Sequence, residues 1–392
     1  MRVEAVTRRA DLAALTTRWD ELAHNDPRDG FFRTSVWYRA WIEHVRPDAE
    51  PFVLVVREDQ RIVGLAPLCR LPYRDLGFRL SAIAWAGREV VSGDFLDFIS
   101  EGDARPEIIS AILTFLYEQR SQWGLLVMGE LVKDGASLAA VENLGERSGA
   151  PMRRQEPRIC PYIAMPATFD EYLNSLSSSM RYHVRRRMRD IEKKGARLEV
   201  HSDPLEITSH LDSLIQLHLA RWRRDNLPGT FGRAGFAGFL RQVCSNPPSG
   251  SSCRLYRLTH DGVPFAALLM FYFGESALYY QAGWDPDSPL VSHSPGVVVM
   301  AHSIRDAINS GCRYYEFLRG DEAYKLRWTK TYRETTTLLL GRSVTAKSYL
   351  RLARLKDVVK SRFDVGTVPP TVPSNDGSDP DAARCRADSL CR

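Results

Sequence analysis

Leu12, Leu15, Trp19 and Leu22 recur at three- and four-residue intervals, which predicts a helix over residues 11–24. Phe31 to Val45, with Phe31, Phe32, Trp37, Tyr38 and Trp41, predicts a second helix packed inside. The pattern then changes. Pro51–Arg57 and Arg61–Leu71 are apolar, β-branched runs around the polar Glu58-Asp59-Gln60, the signature of a hairpin. Strands are expected at Ser81–Ala86 and Phe95–Ile99, a Pro-started helix at Pro106–Gln119, a strand at Leu125–Met128, a helix at Ser137–Arg147 ending at Gly149, and a strand at Arg158–Met165.

The order then repeats. Helical periodicity runs through Phe169–Leu176, through Met180, Val184, Met188 and Ile191, and through Leu205–Arg224 and Phe236–Cys244. Arg254–Leu258 and Val263–Phe273 form a hairpin across His260-Asp261-Gly262, followed by a strand at Ala277–Gly283. A helix from Pro295 carries Val297, Met300, Ala301, Ile304 and Ile308 on one face, with Gly311 at its end and a strand over Cys312–Leu318. Both halves thus contain two helices, a hairpin, a further strand, a Pro-started helix and a terminal strand, which predicts a tandem duplication carried by pattern without residue identity, the alternative being the ordinary alternation of helices and strands. The reading divides the chain into domains at 1–160 and 161–345, a basic helical segment at 346–365, and a disordered tail at 366–392, where Thr, Pro, Ser, Asn, Asp and Gly dominate.

Composition bounds the function. The 392 residues are 44% hydrophobic and 26% charged, as in a soluble globular protein of two or three domains. A formal net charge of +5 is mild, and DNA is not expected as a partner. The seven cysteines are scattered, with no C-x-x-C pair and no His at metal spacing, which predicts reduced thiols and no metal. The charged N-terminus is not a signal peptide, and the longest apolar run, Phe265–Phe273, is too short to span a bilayer. A cytoplasmic protein with no membrane insertion is expected.

Two stretches carry chemistry. Ser294 is a good N-cap and Pro295 fits the first helical position, so the helix entrance is expected to offer backbone N–H groups to an anion. The strand Cys312–Leu318 leads into Arg319-Gly320-Asp321-Glu322-Ala323-Tyr324-Lys325. Asp321 or Glu322 is a candidate general base, Tyr324 a proton donor to a leaving group, and Lys325 a phosphate or oxyanion partner. The alternative is a solvated turn with acids at a helix start. A third feature is the basic run Arg181, Arg185, Arg186, Arg187, Arg189, Lys193, Lys194 and Arg197, either a solvated face or a contact for the phosphates of coenzyme A or tRNA. His293, directly before the cap, is read as a loop histidine rather than as a ligand contact or a base. No G-x-S-x-G, P-loop or G-x-G-x-x-G occurs.

Together, Ser294-Pro295-Gly296, Tyr315-Glu316-Phe317 and the Leu318–Lys325 string resemble the GNAT acyltransferase superfamily, in its CelD-like or FemAB-like branch of polysaccharide and cell-wall loci. The resemblance is strongest from Ser177 to Thr331. It implies an α/β (α+β) fold of two tandem GNAT-like domains, each a mixed, mostly antiparallel sheet flanked by helices. It also implies acyl transfer from acetyl-CoA or another acyl-CoA to an amine or hydroxyl of a small-molecule or glycan-precursor acceptor, in polysaccharide or cell-envelope biosynthesis. In GNAT proteins a Gln/Arg-x-x-Gly-x-Gly/Ala loop binds the pyrophosphate; here the run is His293-Ser294-Pro295-Gly296-Val297-Val298, of which Gly296 matches. Ser294, Gly296, Val297 and Val298 therefore become donor-binding candidates, with Gln281 on the strand Tyr279–Gly283 where the pantetheine arm lies in the family. FemAB relatives use aminoacyl-tRNA, which makes tRNA the alternative donor; a non-catalytic GNAT-fold binding module is the other alternative. The N-terminal half, lacking the charged string, is expected to be structural.

Overall fold

The computed structural model describes residues 1–363 apart from 120–122, 225–226 and 228, with backbone alone for 358–363. The tail expected to be disordered lies outside the described residues. The strands are β1 (Arg2–Val6), β2 (Glu50–Glu58), β3 (Arg61–Asp75), β4 (Phe78–Trp85), β5 (Ile99–Ser100), β6 (Leu125–Val132), β7 (Met152–Arg154), β8 (Arg158–Ala164), β9 (Arg197–His201), β10 (Ser251–His260), β11 (Val263–Phe273), β12 (Ser276–Trp284), β13 (Tyr314–Glu316) and β14 (Tyr332–Gly341). The helices are α1 (Thr16–Ala23), α2 (Ser35–Ala40), α3 (Arg105–Glu118), α4 (Ala136–Ser148), α5 (Phe169–Ser175), α6 (Ser178–Lys193), α7 (Pro204–Arg224), α8 (Phe236–Ser245), α9 (Pro295–Asn309) and α10 (Val344–Phe363).

Local sequence explains many boundaries. Pro sits in the first turn of α3 and of α9. Gly149 ends α4 with φ 59°, a left-handed position that glycine adopts without strain. Thr168 and Glu171 form a reciprocal capping box on α5, and the Ser177 side chain caps α6, whose Met180, Val184 and Ile191 are buried.

Elsewhere tertiary context overrides the pattern. The helix expected over Phe31–Val45 is broken into a 3-10 turn, α2 and a π-turn at Trp41–Val45. Of the strand expected at Phe95–Ile99 only Ile99 pairs, because Phe95 has φ 53° and turns the chain. Cys312–Leu318 shortens to Tyr314–Glu316 because Leu318, at φ 60°, ends the strand.

The sheet is mostly antiparallel and repeats one plan. Each half lays down four antiparallel strands, β1–β4 or β9–β12, then a fifth parallel to the fourth, β6 beside β4 or β13 beside β12. A parallel neighbour needs a crossover, and α3 and α9 supply it. Helices α1 and α2 stand between β1 and β2 as α7 and α8 stand between β9 and β10. The closing strands come from elsewhere in the chain. β14 pairs with β6, β8 pairs with β13, and β8 and β14 pair with each other, making one continuous sheet.

The core is continuous across the halves as well. Phe31 stacks on Phe271 at 4.5 Å between centroids, and Trp37 meets Phe239 edge-on at 4.7 Å. A second cluster, on the other face of β10–β12, is filled by Val184 and Ile191 of α6 and by Val298, Ala301 and Ile304 of α9. Buried charge joins the halves too. Glu316 receives Arg28 at 2.9 Å and Arg333 at 3.0 Å, and Arg333 also makes two 2.8 Å bonds to Asp29. Burial raises the Glu316 carboxyl above its ordinary value, with the two arginines pulling against it.

Candidate active site

β12 pairs with β13 only from Ser276–Tyr314 to Leu278–Glu316, and then runs on alone on that side to Trp284. Opposite β11, Leu269 pairs with Gln281 and Met270 with Tyr279, so Tyr280 is an extra, bulged residue that bends β12. The parallel strands therefore part beyond Leu278, and α9, which connects them, begins at that open end, the position where α/β crossovers receive ligands.

The entrance of α9 differs from expectation. Ser294 adopts a left-handed conformation (φ 53°, ψ 62°) and its side chain makes no capping hydrogen bond, because an Ncap needs extended backbone to aim its oxygen into the first turn. Its carbonyl instead accepts from Val297 N–H at 3.0 Å and Val298 N–H at 3.3 Å. Two of the amides expected for a ligand are thus committed within the helix; Val298 is also fully buried. Gly296, beside the Trp284 ring (3.5 Å from where a Cβ would stand), carries the amide left at the helix mouth. Gln281 is half-buried on β12.

The cation at this mouth comes from α7. Gly283 lets α7 run against β12, since a Cβ there would lie 2.6 Å from the Leu217 carbonyl carbon and 2.7 Å from His218 Cα. His218 Nδ1–H donates to Ala282 O at 3.0 Å and Nε2 accepts from Thr230 N–H at 3.3 Å. Burial pushes this imidazole down to about 4, so it stays neutral and pins helix to strand. One turn on, the Arg221 guanidinium lies 4.1 Å over the Trp284 ring and 5.1 Å over Trp222. It has no acidic partner among the described residues.

The charged turn faces the same opening. Gly320 has φ 126°, and a Cβ there would collide with the Glu322 carboxylate and stand 2.9 Å from Lys325 Nζ. Lys325 is buried and committed inward: Nζ donates to Arg319 O at 2.8 Å and pairs with Glu322 at 2.9 Å. Asp321 is exposed, whereas Glu322 is half-buried. Tyr324 and Tyr279 lie with their ring centroids 6.4 Å apart, and Glu322 and Arg221 act electrostatically on both. Burial raises both phenols, and for Tyr324 the neighbours Tyr279 and Glu322 add to it. Tyr324 is therefore protonated at neutral pH. Arg221 connects the two predicted clusters, because it lies over Trp284 at the α9 mouth and within electrostatic reach of Tyr279 and Tyr324.

Residues 178–326, the segment holding β12, α9, β13 and the charged turn, match the family model of the acetyltransferase (GNAT) domain. That segment is a GNAT domain. No curated protein sequence matches it. Among solved structures it is similar to FemX, at 13% identity and a TM-score of 0.60, covering 86% of this chain and 97% of that one. It is also similar to the C-terminal domain (DUF2156) of a candidate lysylphosphatidylglycerol synthetase from Agrobacterium fabrum, at 11% identity and a TM-score of 0.55, over 89% and 97% of the two chains. L-PGS from Bacillus licheniformis follows at 12% identity and a TM-score of 0.50, over 86% and 96%. At these identities the likeness is one of fold.

The GNAT domain leans on the N-terminal half through Arg319, a residue to which the sequence pattern assigns no role. Arg319 N–H donates to Asp94 at 2.7 Å, its Nε approaches Asp94 at 3.2 Å, and its guanidinium also pairs with Glu130. One cation thus faces two buried acids. Burial pushes Asp94 up to about 6 against the pull of Arg319. For Glu130 the same burial is outweighed by Arg319, Arg88 and Arg158, which hold it below the ordinary value. The signal for Glu130 was a lone acid inside the apolar run Leu125–Val132. In the N-terminal half the gap beside β6 is filled, since the Arg88 side chain packs on Gly129 beyond the end of β4. No group of residues suited to hold a metal occurs among the described residues. The basic face of α6 is partly neutralised by Arg185–Asp170 at 3.1 Å and Arg186–Asp190 at 3.3 Å, and the helix packs on α9 and on the turn Val291–His293 that leads into it.

Proposed function

We propose that this GNAT-fold chain is an acyltransferase that takes an acyl group from acyl-coenzyme A to an amine or hydroxyl, on a small-molecule or glycan-precursor acceptor of polysaccharide or cell-envelope synthesis. The observation that carries the reading is the parting of β12 and β13 beyond Leu278, with Arg221, Trp284 and Gly296 at one end and Tyr279, Tyr324 and Glu322 along the side. Arg221 and the Gly296 amide would hold donor phosphates, and Trp284 keeps the guanidinium in place. The acyl arm would lie along the free side of β12, past Gln281.

In the reaction, the acceptor nitrogen or oxygen attacks the acyl carbonyl carbon, a C–N or C–O bond forms, and the C–S bond breaks. Glu322 would take the acceptor's proton and Tyr324 would give one to the departing thiolate. Between the two acids of the string, Glu322 fits the base better than exposed Asp321, because it neighbours the tyrosine pair. Lys325 acts by fixing the turn, since its ammonium is already bonded.

The second reading is transfer from aminoacyl-tRNA. It is favoured by the Arg-rich face of α6 beside the turn into α9, and by the fold likeness to FemX and to a lysylphosphatidylglycerol synthetase domain. Calorimetric titration with acetyl-CoA and, separately, aminoacyl-tRNA tests both: acetyl-CoA binding supports the first reading, tRNA binding alone the second. Binding of neither at low salt would overturn the transferase assignment and leave a non-catalytic module.

A further inference from the structure

Helix α10 uses one face to dock and leaves the opposite face apolar and cationic. Ala346, Tyr349, Leu350 and Ala353 are buried, and Tyr349 hydroxyl donates to Asp75 at 2.8 Å, lies 3.0 Å from Tyr73 hydroxyl, and packs its ring on Phe78 at the tip of the β3–β4 hairpin. On the other side Leu352 is 45% exposed and Leu355 62% exposed, an i, i+3 pair on the helix surface. Exposed Arg351 and Lys356 flank them. The one acid of the helix, Asp357, is neutralised by two 2.8 Å bonds from Arg153.

A second element adds to this face. At the hairpin tip beside α10, Arg74 and Arg79 are directly opposite one another across the strands, and both are exposed. Like charges in that register destabilise a strand pair unless an anion lies against them. An apolar stripe bordered by cations is the pattern of a helix lying in a bilayer interface, where leucines enter the acyl boundary and arginines meet headgroups. A nucleic acid would use the cations and leave the leucines in water.

We propose that α10 and the β3–β4 hairpin tip form a docking face for the surface of an anionic lipid bilayer. The chain lies on the membrane there; no helix among the described residues is long and apolar enough to cross it.

Co-sedimentation of the full chain with vesicles tests this. The chain is expected to partition onto vesicles of mixed phosphatidylglycerol and phosphatidylcholine, and not onto phosphatidylcholine alone. Leu352→Glu combined with Leu355→Glu should lower partition roughly tenfold or more, and Arg74→Glu combined with Arg79→Glu should lower it similarly. These positions are exposed, so an unchanged Tm is expected in both variants. The proposal is overturned by no partition onto anionic vesicles, or by partition equal in wild type and both variants. It is also overturned if light scattering finds a dimer that the leucine variant dissociates, because a second copy then covers the face.

Discussion

At the scale of single residues, a protonated tyrosine and an arginine with no acidic partner among the described residues carry the proposed chemistry. Burial and its neighbours keep Tyr324 protonated, which suits it to donate to a leaving group. Tyr324→Phe is expected to reduce kcat by about 10²–10⁴ with little change in donor affinity; steady-state kinetics alongside calorimetry would check the split. A different residue governs pH dependence. The Asp94 carboxyl is raised to about 6 in the folded chain, so between the ordinary aspartate value and that pH the folded state holds more protons than the unfolded one. Its contribution to stability is full below the unfolded value and is lost as pH rises through about 6. The Tm advantage of wild type over Asp94→Asn should accordingly narrow as pH rises from about 4 to about 7. A gap that widens over that range would contradict the assignment.

At the scale of elements, the close approach of α7 to β12 sets where Arg221 stands. Gly283→Ala would push the helix from the strand, costing about 1–3 kcal/mol of stability and weakening donor binding through the displaced guanidinium. Thermal melting and calorimetry on the same variant read both effects. Apolar periodicity made most helices and the two hairpins legible, because burial of one face dictates the spacing: Leu12, Leu15, Trp19 and Leu22 are all buried, although the first two stand in a 3-10 helix, Arg9–Leu15, ahead of α1 rather than in the one helix expected over 11–24. It missed β1 and β9, whose Arg2-Val-Glu-Ala-Val and Arg197-Leu-Glu-Val-His segments lie at the sheet edges, where charge replaces an apolar face. It also misjudged Ser294, since a residue's identity as a capping type does not fix its backbone conformation. The partners of Arg319 were invisible for a simpler reason. Asp94 and Glu130 lie far from it in sequence, and only the folded sheet brings them together.

At the scale of the molecule, the repeat plan was legible while the exchange of closing strands was not, because strand order in a sheet leaves no trace in periodicity. β14 completes the first half from beyond the second, and β8 completes the second from between the halves. A fragment ending before Tyr332 would leave an edge of β6 and part of β8 unpaired, so it should be insoluble or molten by near-ultraviolet circular dichroism; a cooperative melt like that of the full chain would contradict the interlocked sheet. In the proposed reading the opening between β12 and β13 does the chemistry, and the structure of a complex tests that most directly. In electron density for the chain crystallised with coenzyme A, the account predicts the pyrophosphate against Arg221 and Gly296 N–H, with the pantetheine arm along Tyr279–Trp284. Density for the phosphates elsewhere, with Arg221 still stacked on Trp284 and untouched, would contradict it.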